Sequence, residues 1–188
     1  MSEAGNGSAP APQAAVAGAA AAVPAAASGW RWLPLAAAII AADQLIKAWM
    51  VQHFAPLERV EVLRVLDIIL TYNTGAAFSF LSEASGWQRW LFVLLALGVS
   101  TVLIVWMRRL HAAVHGLLAC GLALIVGGAL GNMIDRLILG RVVDFIHVHW
   151  RQAYFPAFNL ADSAITVGAV VLLIDAWRET RAARRVRA

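Results

Sequence analysis

Charged residues are scarce in this sequence of 188 residues. Only 14% of its side chains are Asp, Glu, Lys or Arg, whereas 61% are hydrophobic. A soluble domain has roughly 45–50% apolar residues, and a domain of this size needs a largely polar surface because so much of it faces solvent. The composition therefore excludes an ordinary soluble domain and, beyond the first 29 residues, a disordered chain. It indicates that lipid surrounds most of the protein.

Cysteine and lysine are almost absent. The single cysteine, Cys120, excludes an intramolecular disulfide and a cysteine metal site, and its apolar neighbours favour an inert buried thiol. The only lysine is Lys47, so the net charge of +4 comes from arginine. A basic edge on an apolar protein is typical of the cytoplasmic membrane face, and we expect no nucleic-acid partner. Five arginines form that edge in the last eleven residues: Arg178, Arg181, Arg184, Arg185 and Arg187.

The first 29 residues are nearly half alanine, and Glu3 is their only charged side chain. They lack the positive residues that begin a secretory signal, and repeated Pro and Gly interrupt any long helix. We predict that residues 1–29 form a disordered cytoplasmic extension.

Four hydrophobic segments follow, at residues 32–51, 90–107, 112–130 and 160–177. Each is close to the ~20 residues that carry a helix across a bilayer. Most tryptophans lie near segment ends, where indole rings prefer the membrane interface. The sequence therefore predicts a membrane all-α domain at residues 30–178, built as a four-transmembrane-helix bundle, and a basic cytoplasmic tail at residues 179–188.

The orientation of the bundle follows from the basic residues in its connections. The N-terminal flank, the connection between the second and third segments and the tail together carry eight arginines, against six on the other side. Because basic residues favour the cytoplasmic side, we predict that both termini are cytoplasmic. No internal repeat is evident, so an inverted-repeat transporter receives no support.

Two connections on the outer side are too long to be simple links. Residues 56–88 contain a β-prone set of valines, isoleucines and Tyr72, followed by the turn-like Asn73-Thr74-Gly75. We predict a small sheet there. The aromatic residues of stretch 135–159 predict a short interfacial helix or a strand.

Ionisable residues at membrane depth are costly and need a reason. Asp43 and Lys47 stand four apart on one helical face. They either form an ion pair that fixes this helix to its neighbours, support a site, or act in catalysis directly. Asn132, Asp135 and Arg136 share a face if the third helix continues past residue 130. They then either tie a helix end to a loop or orient a neighbouring acid or a substrate backbone.

Asp144 and Asp162 both lie in apolar surroundings at the outer boundary. In one interpretation Asp162 or Asn159 caps the fourth helix and Asp144 is an interfacial loop acid. In the other the two aspartates form a dyad that shares one proton, because two nearby carboxylates in a low dielectric do not both ionise cheaply. Such a pair hydrolyses peptides without a metal: the ionised carboxylate takes a proton from water and the protonated one supports the carbonyl oxygen.

Other chemistries have less support. No His-Glu-x-x-His sequence occurs, and His147 and His149 favour interfacial packing over a metal site. A serine–lysine pair would use Lys47 with Ser79 or Ser82, but no nucleophile elbow is present. The alternative of a different class is a small non-enzymatic transporter or assembly factor.

Five stretches, in this order, resemble the lipoprotein signal peptidases, the bacterial signal peptidase II family of inner-membrane aspartyl proteases. The resemblance covers residues 30–178, and any one stretch alone would be weak. The stretches are Asp43-Gln44-x-x-Lys47, Tyr72-Asn73-Thr74-Gly75-Ala76-Ala77-Phe78, Gly127 to Arg136, Val142-Val143-Asp144-Phe145 and Phe158-Asn159-x-Ala161-Asp162-Ser163.

The resemblance implies a four-helix bundle with an outer β-cradle and a short periplasmic helix, acting as a monomer without a cofactor or metal. Its substrates would be diacylglyceryl-modified prolipoproteins in the bacterial inner membrane, cleaved just before the lipidated cysteine on the periplasmic side. Asp144 and Asp162 match the catalytic pair, and Asp43 and Lys47 match a supporting pair. The residues that match positions lining the site are Asn73, Gly75, Asn132, Arg136, Asn159 and Ala161.

Overall fold

The structure is a computed structural model that describes residue 24, residues 27–75 and residues 86–187. Most of the predicted extension at residues 1–29 lies outside the described residues. So do Ala76, Ala77 and Phe78 of the second motif, and Ser79 and Ser82 of the serine–lysine alternative.

Four long helices make up most of the described chain: α1 (Leu33–His53), α2 (Trp87–Arg109), α3 (Gly116–Leu139) and α4 (Leu160–Arg187). In the described part of the chain, these four are long and apolar enough to cross a membrane. The predicted membrane all-α bundle is thereby confirmed.

The helices are longer than their hydrophobic segments. The third helix was predicted at residues 112–130, but residues 112–114 form a turn and α3 continues to Leu139, where Gly140 adopts a left-handed conformation with φ of 72°. The predicted end was wrong because the polar residues from Asn132 onward lower hydropathy without breaking the helix. Similarly, α4 does not end at residue 177 but continues through the basic tail.

Helix α3 is central and packs against the other three helices. Glycine makes the closest approaches possible, since a Cβ at Gly128 would collide with the Ala161 carbonyl oxygen of α4 and one at Gly127 would lie 2.9 Å from the Ala36 carbonyl oxygen of α1. The buried core at the far end from the sheet consists of Ala36, Met107, Leu110, Ala119, Leu122, Ala123 and Val126.

A four-stranded antiparallel sheet combines both long connections. Strands β1 (Arg59–Leu63) and β2 (Leu66–Asn73) form a hairpin, β3 (Val142–Trp150) pairs with β2, and β4 (Ala153–Tyr154) pairs with β3. The strand alternative for the second connection is thus the observed one. The described residues between α3 and α4 contain no helix, and the implied periplasmic helix stays a prediction because residues 76–85 lie outside the description.

The predicted cradle at residues 56–88 therefore needs one correction: its sheet is completed by β3 from the other connection, and residues 87–88 already belong to α2. The register sets Thr71 opposite Asp144. A second apolar core, made of Met50, Leu70, Val143 and Phe145, packs the sheet onto the end of α1.

The two ends of the bundle differ in what covers them. The start of α1 lies beside the α2–α3 connection, because the Gly29 N–H donates to the Leu110 carbonyl oxygen at 2.9 Å. The imidazole of His115, at the start of α3, lies 3.9 Å from Glu179 in the last part of α4. The first helix begins and the last helix ends at this same end, so the sheet and the first turn of α4 lie at the other.

Candidate active site

Asp162 belongs to a reciprocal cap at the start of α4. The Asp162 N–H donates to Asn159 Oδ1 at 2.9 Å, and the Asn159 N–H donates to Asp162 Oδ2 at 3.2 Å. This is a capping box, which satisfies two backbone donors that a helix start leaves unpaired. The capping interpretation of Asn159 is therefore correct, and the cap itself fixes the Asp162 carboxylate in space.

Asp43 satisfies a third donor of the same helix start. Its Oδ1 accepts the Ala161 N–H at 3.0 Å, across from α1 to α4, and both residues are fully buried. Gly131 of α3 makes this approach possible, since a Cβ there would lie 3.1 Å from Asp43 Oδ2. Ala161 thus enters the site through its backbone, at a position where a larger side chain has no space.

Lys47 is the charged centre of the buried groups. Its Nζ lies 2.7 Å from Asp43 Oδ2, as the spacing of four predicts, and 2.9 Å from Asp135 Oδ2. It also donates to Asn132 Oδ1 at 3.0 Å. One buried ammonium group therefore uses three acceptors on two helices, one for each of its three donors.

Asp135 connects the helices to the sheet. Its Oδ2 accepts the Val143 N–H at 3.1 Å, and its Oδ1 accepts Gln44 Nε2 at 2.8 Å. The interpretation of Asp135 as a tie between a helix end and a loop is consistent with this geometry. The bond to Val143 fixes the residue immediately before Asp144.

Asn132 joins this buried group to Asp162. Its Oδ1 accepts from Lys47 and, at 3.1 Å, from Asn159 Nδ2, while its Nδ2 donates to Asp162 Oδ1 at 2.7 Å. The acceptor and donor assignments of the amide are fixed by these partners. We call the connected side chains the membrane network: Asp43, Gln44, Lys47, Asn132, Asp135, Asn159, Asp144 and Asp162.

Asp144 is buried on β3 and receives two amide donors. Asn159 Nδ2 donates to its Oδ1 at 2.7 Å, and Asn73 Nδ2 donates to its Oδ2 at 3.2 Å. Burial and the negative charge of Asp162 together raise the pKa of Asp144 to about 7, against the lowering effect of these two hydrogen bonds and of Lys47. Asp144 is therefore protonated in a substantial fraction of molecules at neutral pH, unlike an ordinary aspartate.

The Asn73 amide is itself held by the turn that follows β2. Its Oδ1 accepts the Gly75 N–H at 2.8 Å, and Gly75 adopts a φ of 107° that favours glycine. The predicted turn at Asn73-Thr74-Gly75 thus has the expected Asx geometry, and its consequence is to aim the asparagine NH₂ group at Asp144.

Arg136 lies one helical turn beyond Asn132. Its Nη1 donates to the Asn132 carbonyl oxygen at 3.2 Å, and its guanidinium lies 4.9 Å from the ring centre of Phe92 on α2. Its Nε is buried without a hydrogen-bond partner among the described residues. The negative charges of Asp162, Asp144 and Asp135 attract it. Arg136 therefore has donor capacity close to the two aspartates.

The predicted site residues come together as one group. Asp144 and Asp162 are bridged by Asn159, which contacts Asp144 through its side chain and Asp162 through its backbone N–H. Direct hydrogen bonds or ion pairs also place Asn73, Asn132, Asp43 and Lys47 there. Gly75 and Ala161 enter through backbone N–H groups.

Sequence reasoning missed two features. Phe92 contacts the site from α2, and nothing in an apolar helix distinguishes one phenylalanine from its neighbours. The other is a group on the sheet that we call the outer cluster: Asp67, Arg59, His147, His149 and Tyr154. Asp67 is fully buried there, with Arg59 Nη2 at 2.5 Å and His149 Nε2 at 3.1 Å from its Oδ2.

The two histidines of the outer cluster are arranged for packing. The His147 ring stacks on Tyr154 with centroids 5.3 Å apart, and His149 lies 5.4 Å from the same ring. The guanidinium of Arg59 lies against Asp67 Oδ2, so a cation already balances this carboxylate. Among the described residues, no three His, Cys, Asp or Glu side chains have the geometry of a metal site.

Comparisons with known proteins identify a family and several relatives of this chain. The family model described as "Signal peptidase (SPase) II" matches residues 35–178. A lipoprotein signal peptidase of Pseudomonas aeruginosa (strain UCBPP-PA14) is 53% identical over 152 residues, which is 80% of this chain and 89% of that relative. One of Shewanella sp. (strain MR-4) is 49% identical over 150 residues, 80% of this chain and 88% of the relative.

Two solved structures are also similar. A bacterial membrane enzyme determined by the in meso method at 2.3 Å resolution matches with a TM-score of 0.70 and 28% identity, covering 80% of this chain and 89% of the other. A second, determined at 1.9 Å, matches with a TM-score of 0.67 and 28% identity, covering 77% and 91%.

Proposed function

Because this chain belongs to the signal peptidase II family, a family of proteases, we propose that it removes signal peptides from diacylglyceryl-modified prolipoproteins with Asp144 and Asp162 as its catalytic pair. Cleavage occurs just before the lipidated cysteine. The observation that carries this proposal is the bridge through Asn159, which holds two carboxyl groups from β3 and α4 against one asparagine.

The protonation of the pair follows from its surroundings. Asp144 is buried and has a pKa raised to about 7 by burial and by the charge of Asp162, so it carries the shared proton at rest. Asp162 is half-buried, and its carboxylate accepts hydrogen bonds from the Asn132 side chain and the Asn159 backbone. We therefore assign Asp162 as the base and Asp144 as the acid.

The reaction then balances without any other group. Asp162 takes a proton from water while the water oxygen bonds to the scissile carbonyl carbon, and Asp144 gives its proton to the carbonyl oxygen. When the tetrahedral intermediate collapses, Asp162 delivers its proton to the departing nitrogen and Asp144 takes back the proton from the oxygen. The C–N bond breaks, the peptide carboxyl and the new cysteine amine leave, and the pair again holds one proton.

Neighbouring groups supply orientation and charge. The guanidinium of Arg136 lies within the electrostatic reach of the two aspartates and keeps one donor unpaired among the described residues, so we infer that it supports the developing negative charge on the carbonyl oxygen. Asn73 and Asn159 fix the Asp144 carboxyl from both sides. A substrate anchored by its acyl chains presents the scissile bond at a constant depth, which converts a bimolecular encounter into a positioned one.

The same proposal places the protein in its membrane. The arginines of the tail and of the α2–α3 connection lie at the end of the bundle opposite the sheet, which favours that end as cytoplasmic. The sheet and the aspartate pair then face the periplasm of the bacterial inner membrane. We propose that the chain acts there as a monomer and without a metal or cofactor.

The decisive experiment uses Asp144→Asn and Asp162→Asn, each purified in a membrane mimetic and incubated with a diacylglyceryl-modified precursor. Each variant should lose at least about 1,000-fold in kcat, because an amide neither accepts nor stores the proton. Asp175→Asn, on the same helix as Asp162 but far along it, is the matched control and should retain activity.

A chelator added to the wild-type reaction should have no effect. Full cleavage by both dyad variants would overturn the aspartate mechanism. Absence of any cleavage by the wild-type protein, with the precursor retained or moved intact, would favour the carrier or assembly factor.

A further inference from the structure

Phe92 is the side chain through which α2 reaches the aspartate pair. Most residues around it on the same helix face outward, including Leu91, Leu94 and Leu95, each about half exposed or more. Phe92 is half-buried and turned toward α3 and the end of β2. Phe92 makes two contacts, with Gly75 and with Arg136, and each of these residues is connected with the Asp144–Asp162 pair.

The first contact is with Gly75. A Cβ built on Gly75 would lie 2.5 Å from Phe92 Cε2 and 2.8 Å from Cδ2, so the ring lies directly against the glycine backbone. The Gly75 N–H holds Asn73 Oδ1, and Asn73 Nδ2 donates to Asp144 Oδ2. The ring therefore supports the turn that aims the Asn73 amide at Asp144.

The second contact is with Arg136. The guanidinium lies 4.9 Å from the centre of the Phe92 ring, within the range of a cation–π interaction. Among the described residues, the guanidinium donates one hydrogen bond, from Nη1 to the Asn132 carbonyl oxygen, and its Nε has no partner. Without the ring, little within the described residues would hold the guanidinium beside Asp162 and Asp144.

We propose that Phe92 is a positioning residue of the cleavage reaction, which holds Arg136 toward the aspartate pair and keeps the Asn73–Gly75 turn closed against Asp144. This inference rests on the proposed function. It makes α2 part of the active site through one aromatic side chain. It also explains why residue 75 must be glycine beyond its φ of 107°: any side chain would displace the ring.

The test compares Phe92→Leu with Phe92→Tyr in the full chain, using the diacylglyceryl-modified precursor. Phe92→Leu should lower kcat about tenfold, with a smaller change in KM, because the aromatic face that orients the cation is lost. Phe92→Tyr keeps that face and should restore kcat to within about threefold of wild type. Leu91→Ala, a neighbouring outward-facing residue of α2, is the control and should behave as wild type.

The dependence of kcat/KM on pH distinguishes a positioning role of Phe92 from a role in packing alone. If the guanidinium moves away from the pair, the carboxyls lose a favourable positive charge, so the alkaline limb of kcat/KM should move to higher pH in Phe92→Leu and return in Phe92→Tyr. A variant that only folds poorly loses active protein without moving this limb.

The inference fails if Phe92→Leu keeps the wild-type kcat and pH limb, or if Phe92→Tyr is as impaired as Phe92→Leu. Failure of the proposed function looks different, because Asp144→Asn and Asp162→Asn would then remain active. Inactive aspartate variants together with a normal Phe92→Leu would reject the role of Phe92 alone.

Discussion

The described residues include two polar groups built around buried aspartates, and these groups differ in how completely their atoms are paired. In the membrane network, Asp43 and Asp135 share Lys47, and both carboxylates also accept a backbone N–H. In the outer cluster, Asp67 meets Arg59 and His149 at short distances, but neither of its oxygens has a well-aligned hydrogen bond within the described residues.

The difference goes with the exposure of the cation, since Lys47 is 3% exposed and Arg59 is 41% exposed. Where hydrocarbon surrounds the protein, an unpaired polar group costs several kcal/mol, at roughly the level that would unfold a small domain. The membrane network therefore fixes each atom, which is also what a proton-transfer site needs. In the outer cluster Asp67 is itself fully buried, but its partner Arg59 is 41% exposed, so solvent reaches the cation of this pair. The more complete pairing belongs to the membrane network, which includes the two aspartates proposed as catalytic. The less complete pairing belongs to the outer cluster, which connects strands of the sheet.

The largest expected effect is a difference in folded yield between two variants, each of which removes the cation from one of the two groups. Lys47→Met leaves Asp43 and Asp135 buried without their shared partner, and losing one member of a buried ion pair destabilises by about 3–5 kcal/mol. We expect a strong loss of folded yield, with turnover of the remaining folded molecules less affected. Arg59→Met should lower the yield less, because Arg59 is 41% exposed and His149 still lies 3.1 Å from the Asp67 carboxylate. The measurement is purified yield and thermal unfolding in one detergent, with cleavage normalised to folded protein.

A reversed order of yields would contradict the distinction between the two groups. A normal yield of inactive Lys47→Met would instead assign Lys47 directly to the chemistry.

Asn159→Ser should separate helix capping from positioning of the pair. Serine keeps the helix cap, so any fall in the melting temperature reports the lost Nδ2 hydrogen bonds and not the cap. Its side chain is too short to bridge Asn132 and Asp144. We expect kcat to fall about 100-fold, the loss typical of one positioned donor at a reacting centre. Single-turnover cleavage and a melting curve of the same sample provide the check. A wild-type kcat in this variant would show that the Asn159 side chain does not position the aspartate pair.

The pH dependence of kcat/KM should arise from Asp144 in the membrane network and not from the histidines of the outer cluster. Asp144 must be protonated to act as the acid, and its pKa is raised to about 7, so kcat/KM should decline as pH rises through about 7. Ionisation of Asp144 removes the acid, which gives the sign of this limb. The same limb should persist in His149→Gln. A limb that disappears in His149→Gln would show that an imidazole of the outer cluster controls activity.

Asp67→Asn should have the smallest effect on catalysis. The change weakens the attraction of the carboxylate for Arg59 and His149, which links β1, β2 and β3. We expect kcat within about twofold of wild type, because charge pairs away from the reacting atoms contribute little to the transition state. The melting temperature should fall by a few degrees at most. A loss of kcat comparable to that of Asn159→Ser would mean that the sheet transmits strain to Asp144.

The sequence predicts those features of the fold and of the site that depend on the spacing of residues within one segment. Four apolar segments predict the bundle, and the spacing of Asp43 and Lys47 predicts their ion pair. Ionisable residues in apolar surroundings indicate the network, because their presence there needs a compensating partner.

Features that depend on contacts between distant segments are not predictable in this way. The hydrophobic segment predicts that α3 ends at residue 130, nine residues before its observed end. The difference arises because only tertiary partners make Asn132 and Asp135 tolerable inside a helix. Asp67 resembles an ordinary surface acid until β1 and β3 pair on either side of it. Phe92 is one apolar residue among many until Gly75 and Arg136 approach it.

The central claim is that Asp144 and Asp162 activate water directly. A single turnover in H₂¹⁸O, with less precursor than protein, tests it by mass spectrometry of the released signal peptide and of the two aspartate-containing fragments. The account predicts one ¹⁸O atom in the new peptide carboxylate and none in either aspartate. An unlabelled peptide together with ¹⁸O in Asp144 or Asp162 would instead reveal a covalent aspartyl intermediate and contradict the account.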